Sequence, residues 1–162
     1  MVGRQHHYRI LVTWTGNDGA GTASPKGYSR AHRIEVPGKS AIDGSSDPGF
    51  LGDPTRWNPE ELLLASLSAC HKLWYLDLCA RAGIIVTAYT DEAEGCMEET
   101  AAGSGKFTNV VLYPIVTIAA GSDRQAAVAL HDKAHAMCFI ANSVNFPVEH
   151  RPMIIATEST EQ

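Results

Sequence analysis

A chain of 162 residues is long enough to bury roughly 70% of its extended-chain surface in one sizeable core, and 44% hydrophobic with 19% charged residues excludes a disordered tail. The longest apolar run, Leu62 to Leu67, is far shorter than the roughly 20 residues of a transmembrane helix, so no membrane partner is expected. Thirteen basic against eighteen acidic side chains give a net charge of −5, and no Lys or Arg cluster is dense enough to neutralise a run of phosphates, which excludes nucleic acid.

Met1 to His7 carries charge with no apolar segment behind it, so no secretory signal is expected and the expected location is cytoplasmic. The first strand is predicted over Tyr8 to Trp14, where residues alternate, and a short one over His32 to Val36. Pro37 to Trp57, with Gly, Ser, Asp and Pro at short intervals, reads as a long loop holding at most one short strand. Loops of that length are usually functional.

Asn58-Pro59-Glu60-Glu61 opens the first helix. Asn58 suits the cap, Pro59 the first helical position, and Glu61 closes a capping box; Gly83 ends the helix. Leu62 to Ala82 is apolar on most faces, which predicts a helix buried on nearly every side. Further strands are expected over Ile84 to Glu94, Val110 to Ile118 and Val148 to Thr157, most of them antiparallel. Between the last two, Ser122 with Gln125 predicts a second capping box, and Ala126, Ala127, Leu130, Ala134 and Met137 predict one apolar stripe. With no repeat, low-complexity tract or linker, the fold class is α+β, in one domain over residues 1–162.

Four cysteines are too few for a disulfide-stapled scaffold, and no pair has Cys-x-x-Cys spacing. The intervals from Cys70 to Cys79, Cys96 and Cys138 do not resemble a structural zinc site. Cys70 falls mid-helix and Cys138 just past the second helix. Either can be a small buried hydrophobe or a redox thiol. His71 points about 100° away from Cys70 around the helix, which suits a core histidine or a contact for something bound. His131 and His135, four apart, read as a solvated helix face, with metal binding as the alternative. Trp57, Trp74 and Tyr75 are core or interface aromatics, or line an apolar substrate pocket.

The string Asn58-Pro59-Glu60-Glu61-Leu62, a cysteine ten residues after Glu60 and a second cysteine after a later Ala- and Lys-bearing helix together resemble the OsmC and organic hydroperoxide resistance family. That resemblance implies an intertwined homodimer with antiparallel sheets around two central helices and active sites at the subunit interface. It implies no prosthetic group and no metal. Cys70 would attack an organic hydroperoxide, Cys138 would resolve the product as a disulfide, and an external dithiol reductant would restore the thiols. Glu60 matches the family's acidic position. The turn Gly16-Asn17-Asp18-Gly19 and the stretch before Phe50 both lack the family's arginine, so Arg56 is the first substitute, ahead of Arg30 and Arg33. His71, Trp57 and Phe50 are the expected substrate contacts.

Such an arginine would hold the thiolate, the form that attacks peroxide, and a carboxylate could hold the arginine's planar fork. Ten helical residues separate Glu60 from Cys70 by about 15 Å, so a shared site would need a bridging side chain or a Glu60 supplied by a partner subunit. The apolar helix favours bulky organic peroxides over hydrogen peroxide. Two rival readings are a small-molecule or lipid-binding module with inert cysteines, and a metal-dependent hydrolase using His71, His131 and His135.

Overall fold

The computed structural model describes residues 3–158. The chain is α+β, with nine strands and two α-helices among the described residues, and it divides into two compact units with the boundary between Leu62 and Leu63.

In the first unit β1 (Leu11–Trp14), β2 (His32–Glu35) and β3 (Ile42–Gly44) form an antiparallel sheet in that order. The ladder begins only at Leu11, so the first strand is shorter than the alternation of Tyr8 to Trp14 suggests. The long loop does hold one short strand, β3. Its return is pinned by the Ser45 N–H donating to the Trp57 carbonyl at 2.9 Å. A single 3-10 turn, Pro48–Phe50, is capped by the Asp47 carboxylate, which accepts from the Gly49 N–H at 2.7 Å. Gly52 closes that turn against the Ser46 carbonyl, where a Cβ would sit 1.6 Å from the oxygen.

Helix α1 (Pro59–Arg81) begins as the capping box requires. The Glu61 N–H donates to Asn58 Oδ1 at 2.7 Å and the Asn58 N–H to Glu61 Oε2 at 3.2 Å, satisfying two amides that the helix cannot pair internally. Gly83, at φ 72°, takes the left-handed conformation that ends the helix. Burial is narrower than the apolar sequence predicts. Leu67, His71, Tyr75, Leu78 and Cys79 form one buried stripe, while Leu73 is 64% exposed, because the chain itself covers only one face.

The second unit contains two three-stranded sheets, β4–β7–β9 and β5–β6–β8. They are built from β4 (Val86–Asp91), β5 (Glu94–Glu99), β6 (Gly105–Leu112), β7 (Pro114–Ile118), β8 (Val148–His150) and β9 (Met153–Ala156). Three runs that read as single strands are therefore each broken, and each crosses from one sheet to the other. The crossings are tied together: Asp91 Oδ1 accepts from the Tyr113 N–H at 2.7 Å, and the Arg151 N–H donates to the Leu112 carbonyl at 2.8 Å. Pro114 and Pro152, which have no N–H to give a ladder, stand at two of the breaks. Four of the six pairings are antiparallel, as expected for most of them, and two, β6 with β8 and β7 with β9, are parallel.

Helix α2 (Arg124–Met137) is capped one residue later than predicted. The Asp123 carboxylate accepts from the Ala126 N–H at 2.9 Å, while the Ser122 hydroxyl instead faces the Ile85 N–H. Its buried stripe is Ala127, His131 and Ala134, with Met137 exposed, so the face is turned towards His131 relative to the apolar pattern. Tyr75, Leu78, Cys79, Ile84, Val116, Ile118, Ala127, Ala134 and Ile154 form the main core of this unit. No helix among the described residues is long and apolar enough to cross a membrane.

Candidate active site

Cys70 lies in α1, half-buried, and Cys138 is the residue that closes α2, 1% exposed. The helix ends there because Cys138 turns to extended backbone, its N–H donating to the His135 carbonyl at 3.1 Å. A 3-10 turn, Ala141–Ser143, follows. It brings the Ala141 N–H to the Cys138 sulfur at 3.4 Å. The thiols of Cys70 and Cys138 are neighbours. Burial pushes the Cys138 thiol up to about 11, against the opposing N–H groups of Ala141 and Ile140, and the nearby Cys70 side chain adds to the rise. Cys138 therefore keeps its proton at neutral pH beside the other sulfur. Trp74, four residues after Cys70, packs edge-on against Phe139, the residue after Cys138, with centroids 5.6 Å apart.

A second cluster sits on the same helices. His71 Nε2 and His131 Nδ1 are 2.9 Å apart, both side chains fully buried. Tyr75 stacks on His131 at 3.8 Å, its hydroxyl donating to the Ala127 carbonyl. His150, from β8, lies 5.4 Å from the His71 ring and 5.6 Å from the His135 ring. Burial and the other imidazoles pull His71 down to about 4 and His131 to about 3, so both are neutral at pH 7. The solvated helix face expected for His131 and His135 is thus corrected: the helix turns His131 fully inward. Among the described residues no group of three His, Cys, Asp or Glu is arranged to hold a metal ion, so the donor set for metal-dependent hydrolysis is not assembled.

Arg56, Trp57, Phe50 and Glu60 belong to the first unit. Arg56 pairs with Asp53 at 3.4 Å and Asp43 at 3.9 Å. Arg30 donates to the carbonyls of Tyr28 and Pro25 and lies over the Tyr28 ring at 4.1 Å. Arg33 pairs with Glu35. Glu60 Oε2 is buried without a hydrogen-bond partner among the described residues, and the rings of Trp57 and Phe50 are exposed.

Residues 52–151 match the family model described as OsmC-like protein. The chain belongs to the OsmC-like family. It is similar to an OsmC-like protein of unknown function from Vibrio cholerae, at 34% identity and a TM-score of 0.83, over 92% of this chain and 100% of that one. At 20% identity and a TM-score of 0.64 it shares the fold of an organic hydroperoxide resistance protein OsmC from Legionella pneumophila, over 93% of this chain and 98% of that one. An organic hydroperoxide resistance protein from Elizabethkingia anophelis gives the same identity and TM-score over 95% and 100%. No curated protein matches the sequence. In this OsmC-like chain the residue that sequence reasoning missed is His150. A lone histidine in a predicted strand carries no spacing signal, and its partners come from two helices far away in sequence.

Proposed function

We propose that the protein is a thiol-dependent peroxidase for organic hydroperoxides. The Cys70 thiolate attacks the peroxide oxygen, the alcohol leaves, and Cys70 becomes a sulfenic acid. Cys138 condenses with it to a disulfide, water departs, and an external dithiol reduces the bond. The observation that carries this reading is the juxtaposition of a half-buried thiol with a buried one that stays protonated. A thiol that reacts with peroxide needs access, whereas the resolving thiol needs shelter until the sulfenic acid forms. The two solved relatives named for organic hydroperoxide resistance support the substrate class.

The active unit is a homodimer. Leu11, Val12 and Trp14 of β1 and Leu73 of α1 expose apolar surface, and Glu60 Oε2, buried without a partner among the described residues, calls for a donor from a second chain. A reducing compartment such as the cytoplasm keeps Cys79 and Cys96 as thiols while the pair cycles. One observation favours the rival reading of a binding module: Arg56 and Arg30 are both engaged by other groups. Titrating thiols before and after one equivalent of cumene hydroperoxide separates the two. The peroxidase loses two thiols per chain and yields a Cys70–Cys138 peptide, and a protein that keeps all four thiols is not a peroxidase.

A further inference from the structure

The first unit holds a pocket of about 480 Å³, within the roughly 300–1,000 Å³ of small-molecule sites. Val12, Trp14 and Tyr28 form its apolar walls, and Arg30, His32 and Ser45 bring polar groups to it. Val12 and Trp14 share one face of β1 because side chains alternate along a strand. The Trp14 and Tyr28 rings meet at 90° with centroids 5.7 Å apart, and the Trp14 indole N–H is fixed to the Ser29 carbonyl at 2.7 Å. Gly44 makes room for the His32 ring, whose Nε2 stands 2.3 Å from where a Cβ would be. The walls are set before anything binds.

Its polar groups are donors with something left to give. Arg30 lies with its guanidinium 4.1 Å over the Tyr28 ring and donates to the carbonyls of Tyr28 and Pro25, which leaves the rest of its five N–H groups unused. Among the described residues no carboxylate lies within ion-pair distance of it. Ser45 is 1% exposed; its Oγ accepts from the Asp53 N–H at 3.0 Å, and among the described residues its own O–H meets no acceptor. His32 Nδ1 stands 3.1 Å from the Arg30 carbonyl and is the donor there, since a carbonyl only accepts. No aspartate or glutamate lines the pocket. A half-buried arginine without a counter-ion, beside a buried hydroxyl with a proton to give, calls for an anion, because a desolvated charge and an unmet donor both cost free energy until they are paired.

We propose that this pocket binds a small aromatic carboxylate, its ring against Trp14 and its carboxylate on the unused N–H groups of Arg30 and the Ser45 hydroxyl. A planar carboxylate matches the guanidinium fork, and a flat ring suits a corner formed by two perpendicular rings. A second chain laid over Val12 and Trp14 is the rival occupant, but an apolar face there would bury the Arg30 charge unpaired. The site lies wholly in the first unit, whereas Cys70 and Cys138 belong to the second. It uses neither thiol, so it does not rest on the peroxidase reading.

Isothermal titration calorimetry of the full reduced chain with sodium 2-naphthoate tests this. Naphthoate should bind saturably, one per chain. The amide 2-naphthamide, of the same shape without the charge, should bind roughly tenfold or more weakly, as expected when one partner of a desolvated charge pair is lost. Decanoate, an anion without a ring, should bind about fivefold more weakly than naphthoate, which is the scale of one aromatic contact. Arg30→Gln should weaken naphthoate by roughly tenfold or more while leaving naphthamide unchanged, a split that a merely structural role for Arg30 would not give. Cys70→Ser should bind naphthoate as wild type does, whether or not the protein consumes peroxide. No saturable heat with millimolar naphthoate, or equal affinities for naphthoate and naphthamide, would overturn the site in wild-type protein without any variant having to fold. Decanoate binding as tightly as naphthoate would overturn the aromatic assignment, and loss of binding in Cys70→Ser would move the ligand to the thiols. Naphthoate that lowers the mass in light scattering towards the 17.4 kDa of one chain would give this face to a second copy and overturn the site as well.

Discussion

Acid should destabilise this protein well above the pH at which carboxylates titrate, and the size of the effect follows from the His71–His131 pair. Burial, reinforced by the neighbouring imidazoles, holds His71 at about 4 and His131 at about 3, against an ordinary value of 6.5. As pH falls through 6.5 the unfolded chain takes up a proton at each, and the folded chain does not until about 4 and 3. The unfolded state then binds more protons, so stability is complete above pH 6.5 and declines as pH falls from there towards pH 4 and below. At pH 5 each histidine lies about 1.5 pH units below its unfolded value, which costs about 2 kcal/mol. Neither ring is protonated in the folded chain at that pH, so the two add to about 4 kcal/mol, a large part of the roughly 5–15 kcal/mol that holds a domain together. His150, lowered chiefly by burial, acts in the same direction.

Urea unfolding at pH 7 and pH 5, at one protein concentration, measures this. With a slope of about 2 kcal/mol/M the midpoint should fall by about 2 M. A double variant, His71→Leu with His131→Met, should lose most of that pH dependence while remaining folded at pH 7, because apolar groups of similar volume can replace a buried polar pair. A wild-type midpoint that does not move between pH 7 and pH 5 would refute the reasoning. So would a double variant with the full wild-type slope.

Cys70→Ser should abolish peroxide consumption, and Cys138→Ser should allow about one turnover before stalling as sulfenic or over-oxidised Cys70; multiple-turnover activity in Cys70→Ser ends the peroxidase reading. Light scattering at micromolar concentration should give twice the 17.4 kDa chain mass, and a monomer mass removes the interface site. Arg56→Ala should slow alkylation of Cys70 near neutral pH, with Arg30→Ala leaving it unchanged and circular dichroism confirming that both fold. The reverse pattern would reassign the activating cation.

What could be read from the sequence was local. Asn58 and Glu61 announce the start of α1 because a capping box needs only residues three apart, and both of its hydrogen bonds are present. The strand-rich regions were legible from β-branched runs. Their breaks were not, because a chain crossing between sheets at Asp91, Tyr113 and Arg151 keeps its apolar alternation and changes only its partner. The acidic, glycine-bearing β5 has little strand propensity and is held by its pairing with β6, a tertiary effect.

The candidate site divides along the same line. Resemblance to a family supplied Cys70 and Cys138, which no spacing rule joins across 68 residues of sequence. The histidine cluster had no such support. His71 comes from α1, His131 and His135 from α2 and His150 from β8, so each was judged on its own element, where a lone histidine reads as packing and a pair four apart as a wet surface. The apolar stripe of Ala126, Leu130 and Met137 also pulled the expected buried face of α2 away from His131. Packing reversed this because Tyr75, a large ring, lies flat on His131 and fixes which side of α2 faces α1. Replacing Tyr75 by Leu should therefore loosen the His71–His131 contact itself. Histidine ring resonances in a nitrogen-15 spectrum would report it, as a loss of the hydrogen-bonded N–H between the two rings while the fold persists. An unchanged spectrum would mean that the two imidazoles hold their geometry without the tyrosine.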